Sequence, residues 1–201
     1  ISDAVLDRAP FYLPDQLQHP TIQEVWMFFD VLAEHPSLPL VAWMNYLRRE
    51  GRLNNIIPTH QTASIWLAEQ RASCKVDPQQ FTLNESSNSN FKNRLEQLIC
   101  GSDTRYLNYY GPPKRIRTLS YKDVYNGQVE GLHGRVVFIG KSNTLFAQGK
   151  ADFFLTPFAD DQTGRMAGVE ILATQFSNLL NDQFIETPIP PILIIVCFGI
   201  S

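Results

Sequence analysis

The residues best placed to do chemistry lie around one glycine. Gly140-Lys141-Ser142 follows an apolar run, where a phosphate-binding loop or a nucleophilic turn would sit. The phosphate reading fails on spacing. A P-loop sets four residues between its glycines as a flexible cradle, whereas Gly134 and Gly140 enclose five that form the run itself. Gly140-Lys141-Ser142-Asn143-Thr144 comes nearer to the G-x-S-x-G elbow, in which a sharp turn exposes a nucleophilic hydroxyl. The last glycine is missing, and the last His of the chain, His133, precedes Ser142 where that fold needs one after it. Ser142 therefore reads first as a turn residue bonding its own backbone, with a serine hydrolase as the enzymatic alternative.

Metal chemistry has less support. His19, His35, His60 and His133 are isolated, with no pair at i, i+4 spacing. Asp160 and Asp161 lack the alternating oxygen ligands of a calcium loop. Neither a metal site nor a cofactor is expected. Two polar groups are better suited to binding. Tyr106, Tyr109 and Tyr110 with Asn108 combine aromatic faces and an amide, a usual cleft lining, although such a strand is more often structural. Asp152 with Thr156-Pro157 offers a carboxylate and a hydroxyl expected near the edge of a sheet, or a simple loop closure. Cys74 and Cys100, 26 residues apart, flank a polar Ser/Asn stretch. They read as a disulfide in an oxidising compartment or as two buried free thiols. Asn84-Glu85-Ser86 matches a glycosylation sequon with meaning only in a eukaryotic secretory setting.

The elements that must position these residues follow from composition and pattern. With 201 residues, 44% hydrophobic and 18% charged, and a net charge of −3, the chain suits one folded domain. It carries no basic footprint for nucleic acid. Prolines at 10, 14 and 20 keep the leading segment out of helix. Thr21 and Glu24 form a capping box, and Ile22, Val25, Trp26, Phe29 and Leu32 repeat at three and four residues, which predicts a helix over 21–33. Ser37 caps a second helix with Leu40, Val41, Met44 and Leu47 on one face and Gly51 as terminator, so the two make a helical hairpin. Weaker helices are predicted over 61–71 and 91–99, a strand over 104–110, and a short helix from Ser120 to about Gly127. Residues 135–139, all apolar after Arg135 and set between glycines, predict a central strand covered on both faces. A strand over 151–155 and a helix over 167–180 follow. The order predicts an α/β fold with a central, partly parallel sheet flanked by helices.

Residues 192–200 form a charge-free apolar run of Ile, Leu, Val, Cys, Phe and Gly, including Cys197, behind Pro188, Pro190 and Pro191. On residues alone, this is either the first half of a membrane-spanning helix, which needs about 20 residues, or a buried strand. The chain opens on Ile1 and stops inside that run, so it reads as a fragment.

Taken in order, Asn108-Tyr109-Tyr110-Gly111, Ser120-Tyr121-Lys122-Asp123-Val124, the glycine-bracketed run 134–140, Asp152, Thr156-Pro157 and Gly168-Val169-Glu170 with Ala173 resemble the second class of CHASE domain. The match is close over about 104–188 and looser at Asp7-Arg8-Ala9-Pro10-Phe11 and Pro36-Ser37-Leu38-Pro39-Leu40. Members often carry His where this chain has Leu172, so the resemblance assigns no imidazole role here. It implies an extracytoplasmic sensory domain over 1–187, lacking the family's first half and opening strand, and a transmembrane helix starting within 188–201. It also implies a receptor, expected as a homodimer, whose small-molecule or periplasmic signal reaches a cytoplasmic cyclase or kinase. A receptor-assembly module that binds nothing is a further alternative. The ligand-binding candidates are Asn108, Tyr109, Ser142, Asp152, Thr156 and Glu170.

Overall fold

Periodicity and capping place four of the five described helices. In the computed structural model, which describes residues 7–13, 21–29, 34–53, 56–79, 81–83, 89–141, 152–158 and 165–185, these are α1 (Leu38–Arg49), α2 (Ala63–Val76), α3 (Ser89–Cys100) and α5 (Gly168–Asn181). The short α4 (Tyr121–Tyr125) follows Ser120 as expected, without a hydrogen bond from the Ser120 side chain. Ser37 occupies the N-cap of α1 but does not cap it with its hydroxyl, which instead lies 3.3 Å from Gln175 Nε2. Thr62 does cap α2, accepting from Ile65 N at 3.4 Å. Gly51, with φ of 72°, ends α1 in the left-handed conformation that costs glycine least.

The helix predicted over 21–33 is not formed at its described residues, so the hairpin is not formed either. Instead β1 (Glu24–Trp26) and β2 (Phe28–Phe29) lie there. β1 pairs antiparallel with β4 (Thr104–Tyr106), Val25 opposite Arg105, and β2 pairs antiparallel with β3 (His35–Pro36). Met27 and Phe28 are off the predicted helical stripe and yet fully buried; a helix with one apolar face would have left them outside. Strands also free main-chain groups for distant partners, since Ser37 N donates to Met27 O at 2.8 Å and Met27 N to Asp103 O at 2.7 Å.

β5 (Phe153–Phe154) and β6 (Met166–Ala167) form a third antiparallel pair. The expected central, partly parallel sheet is therefore corrected: the described residues hold three two-stranded antiparallel sheets. Two bridges stitch them, a parallel one from Thr21 to Leu155 and an antiparallel one from Tyr106 to Ile185. Residues 135–139, predicted as the central strand, belong to no ladder among the described residues. Only Val136 and Phe138 pack against the core, so one face is covered where two were expected.

The main core lies among α1, α2, α3 and α5, with Trp43, Met44, Leu67, Leu95 and Leu179 inside. A second, smaller core of Ile22, Val25, Leu107, Tyr109, Met166 and Ile171 lies under the small sheets. Cys74 and Cys100 are bridged, with 5.7 Å between their Cα atoms, which ties α2 to α3. No helix among the described residues is long and apolar enough to cross a membrane. Ser142, Asp160, Asp161, the sequon and residues 188–201 lie outside the described residues.

Candidate functional site

α5 organises the site because its buried face is polar. Ile171 and Leu179 share that face with Thr174, Gln175 and Asn178, three and four residues apart, and the three polar side chains are at most 2% exposed. Buried amides need partners, and each finds them far away in sequence. Asn178 Oδ1 accepts from Asn108 N at 2.8 Å, while its Nδ2 donates to Asn108 O at 3.0 Å and to Tyr110 Oη at 3.1 Å. Tyr110 in turn donates to Gln183 Oε1 at 3.1 Å and lies 3.0 Å from Ser177 Oγ. Gln175 Nε2 donates to Trp26 O at 2.8 Å. One helix thus clamps the Asn108-Tyr109-Tyr110 segment on one flank and β1 on the other.

The N-terminal end of α5 gathers three further groups. Glu170 Oε1 accepts from Lys114 N at 2.6 Å, at a residue whose φ of 73° marks a tight turn. Asp152 O accepts from Gly168 N at 3.0 Å, and its carboxylate lies so near that a Cβ on Gly168 would stand 2.4 Å from Oδ1. A carboxylate there complements the positive end of the helix dipole. Gly140 brings the extended run onto Val169: a Cβ at 140 would stand 2.6 Å from the valine Cβ, so this approach excludes a side chain.

Of the five described candidates, Asp152 and Glu170 both lie at the first turn of α5, Asp152 beside Gly168 and Glu170 on Lys114 N, and Asn108 sits on its flank through Asn178. Tyr109 is turned inward, 7% exposed, with its hydroxyl donating to Ile22 O at 3.0 Å; it is a structural residue. Thr156 is separated from Asp152 by the length of β5, about 13 Å for four extended residues, so the pair expected at one sheet edge is not one site. The separation follows from the β5–β6 register, which sets Phe153 against Ala167 and carries Thr156 away from α5. A shallow cleft of about 330 Å³ opens beside the disulfide, lined by Pro78, Phe81, Asn93, Glu96, Gln97 and Cys100; none of the candidates lines it. Among the described residues no group of His, Cys, Asp or Glu could hold a metal ion.

Two measurements check these placements. Burial pushes the Tyr109 phenol well above its ordinary value, so the neutral form is favoured in the folded chain. Its contribution is intact below the unfolded value near pH 10 and is lost as pH rises beyond it. Tyr109→Phe is expected to lose about 1 kcal/mol at neutral pH, because Ile22 O is left unpaired. It is also expected to lose less stability than the parent between pH 9 and pH 11 in urea titrations. Thr156 is 3% exposed, and its Oγ1 has no hydrogen-bond partner among the described residues. Thr156→Val is nearly isosteric and removes the unsatisfied hydroxyl, so a gain of about 1 kcal/mol is expected; a loss would mean that the hydroxyl is in use.

Sequence reasoning overlooked Gln175 and Asn178, although two amides on the apolar stripe of a helix were the available signal. It also overlooked Arg71, 4% exposed, which has no such local mark. At the far end of α5, Leu179 O accepts from Arg94, and Asp182 Oδ1 lies 2.9 Å from Arg94 Nε. Burial pulls the Arg94 guanidinium below its ordinary value, and Asp182 opposes that shift. Four residues past α5, Ile185 N donates to Tyr106 O at 3.1 Å, which pins the outgoing chain to β4.

No curated protein and no solved structure matches this chain. The CHASE2 domain family model matches residues 2–201, beyond the 104–188 stretch that carries the motifs and across the segment 52–103 that has none. With that match over nearly its whole length, and with its glycine-bracketed run and Gly168-Val169-Glu170 motif both seated on α5, the chain belongs to the CHASE2 family, whose domains are extracytoplasmic sensors and not catalysts.

Proposed function

We propose that this chain is the ligand-sensing part of a transmembrane receptor, with the sensor over 1–187, a membrane helix beginning within 188–201, and a cytoplasmic cyclase or kinase as output. The observation that carries the reading is the position of α5. Its first turn holds Asp152 and Glu170, its flank holds Asn108, and its end is joined to β4 by the Ile185 bridge. A small molecule bound at the start of α5 has one short rigid body through which to act. It biases the receptor only if it binds one arrangement of that helix more tightly than another. Pro188, Pro190 and Pro191 then form a stiff junction to the membrane in a receptor that acts as a homodimer.

The test has two arms. Amino acids, nucleotides and sugars are titrated singly into the chain while its melting temperature is followed. A ligand at 100 times its Kd adds about 2.7 kcal/mol, and Glu170→Gln is expected to reduce that shift. In the whole receptor, Pro190→Gly with Pro191→Gly is expected to uncouple output while the melting temperature of the domain stays unchanged. A flat titration would favour a module that only assembles receptors, and unchanged output in the double variant would remove the α5 route.

A further inference from the structure

No residue of the usual helix-ending kind stands where α5 ends. Neither glycine nor proline occurs between Gly168 and Pro188, yet the helix ends at Asn181 and Asp182 takes the left-handed conformation, with φ of 55° and ψ of 51°. That conformation is usual for glycine at a helix end and costs an aspartate more. The stop is held from outside the helix. Arg94 of α3 donates to Leu179 O, and its Nε lies 2.9 Å from Asp182 Oδ1. In a helix that ran on, Leu179 O would accept from Gln183 N, four residues later; here Gln183 N donates to Asn178 O at 3.0 Å. Arg94 thus occupies the carbonyl that the next turn needs. Ile185 N, whose helical partner would be Asn181 O, donates to Tyr106 O at 3.1 Å, and Gln183 Oε1 accepts from Tyr110 at 3.1 Å.

We propose that the end of α5 is a two-state switch operated by Arg94. With Arg94 in place, the helix stops at Asn181 and residues 182–185 run to β4. With Arg94 released, α5 continues through Ile185, and Leu179 O and Asn181 O take the amides of Gln183 and Ile185. Each of those two amides exchanges one carbonyl for another, so the balance falls to a few side-chain contacts. Phe184, which packs against both cores, favours the stop, as does the Arg94 guanidinium, 5.3 Å over the ring of Trp43. The left-handed Asp182 and the absence of a helix breaker favour continuation. The two states differ in reach. Four extended residues span about 13 Å and four helical ones about 6 Å, so continuation draws the chain at Ile185 toward α5 by up to about 7 Å. The use of this movement in signalling rests on the reading of α5 as the transmitting helix; the switch itself does not.

The experiment reads the backbone chemical shifts of residues 182–185 in this chain. In the parent they are expected at non-helical values. Asp182→Ala removes an exposed carboxylate, the partner of Arg94, and sets a strong helix former where the left-handed conformation is needed. The Cα shifts of 182–185 are expected to move downfield to the values found within α5. Asp182→Gly removes the same carboxylate but accepts the left-handed conformation, so 182–185 should stay as in the parent. Arg94→Gln should move the shifts as Asp182→Ala does, and adding Asp182→Gly to it should return them. Non-helical shifts at 182–185 in Asp182→Ala, or equally helical shifts in Asp182→Gly, would overturn the proposal. Helical shifts in Asp182→Ala alone, with the parent's output in the whole receptor, would uphold the switch and remove instead the transmitting role of α5.

Discussion

Arg71→Met is expected to lower the unfolding free energy by about 3 kcal/mol, the smaller end of what breaking a buried ion pair costs. The guanidinium joins three elements that are distant in sequence. One nitrogen donates to Ile99 O and, at 2.9 Å, to Gly101 O. Another donates to Asp103 Oδ1 at 2.6 Å, and Nε lies 3.6 Å from Glu34 Oε2. The plane stands 5.1 Å over the ring of Phe28. Met keeps the packing on Phe28 and α2 but leaves two carbonyls without this donor and two carboxylates without their closest guanidinium. Those carboxylates retain 27% and 18% exposure, so water takes up part of the loss, and Lys75 stays near Glu34; this sets the figure at the lower end. For a chain of this length the melting temperature should fall by roughly 6–12 °C. Arg71→Lys restores the charge without the planar fork and should recover less than half. A urea midpoint within about 0.5 kcal/mol of the parent for Arg71→Met would show that the three elements are held together without it.

Arg71 also shows why part of this fold is not legible from sequence. Nothing near it distinguishes it from other arginines. Glu34 lies 37 residues before it and Ile99, Gly101 and Asp103 lie 28 to 32 residues after it, brought in by the segment at β3 and the turn after α3. The helices were legible because their signal is local: Leu40, Val41, Met44 and Leu47 share a face, and Arg48 and Arg49 suit the negative end of α1. The same local rule misread 21–33. Ile22, Val25, Trp26 and Phe29 fit a helical stripe, but Met27 and Phe28 are also buried, and residues buried on both sides give no period that separates helix from strand.

The candidate site was legible in composition and only partly in geometry. Asn108, Asp152 and Glu170 are gathered by α5, whose face could be read from the spacing of Ile171, Gln175, Asn178 and Leu179. The separation of Thr156 from Asp152 depends on the β5–β6 register, and short apolar pairs such as Phe153–Phe154 do not specify their partner. For residues 135–139 the strand pattern was visible, whereas whether a ladder includes them depends on what other segments do.

Reducing the Cys74–Cys100 bridge is expected to cost about 3.5 kcal/mol, the chain-entropy value for a closed loop of this length, given a sequence separation of 26. The loop contains the end of α2, the Ser/Asn stretch and all of α3 up to Cys100. Without the bridge the unfolded chain regains the freedom of that whole segment, while the folded state keeps most of its contacts. The effect should be larger than in a loop pinned by other means. Across the α2–α3 contact the main polar tie is Arg71 to Ile99 O and Gly101 O, and Arg71 lies one turn before Cys74 on the same helix. Reduction and Arg71→Met should therefore not add independently; residues sharing one contact couple by about 0.5–3 kcal/mol. The check is urea unfolding with and without reductant, beside the variant Cys74→Ala with Cys100→Ala. That variant should match the reduced parent within about 1 kcal/mol, the cost of a small cavity at Cys74, and ignore reductant. If thiol titration shows the bridge open while the parent's midpoint has not moved, the loop is held by other contacts. A bridge of this weight persists in oxidising compartments and is lost in the reducing cytosol. The α2–α3 pair that carries Arg71 therefore reaches full stability only on the extracytoplasmic side, where CHASE2 domains act as sensors.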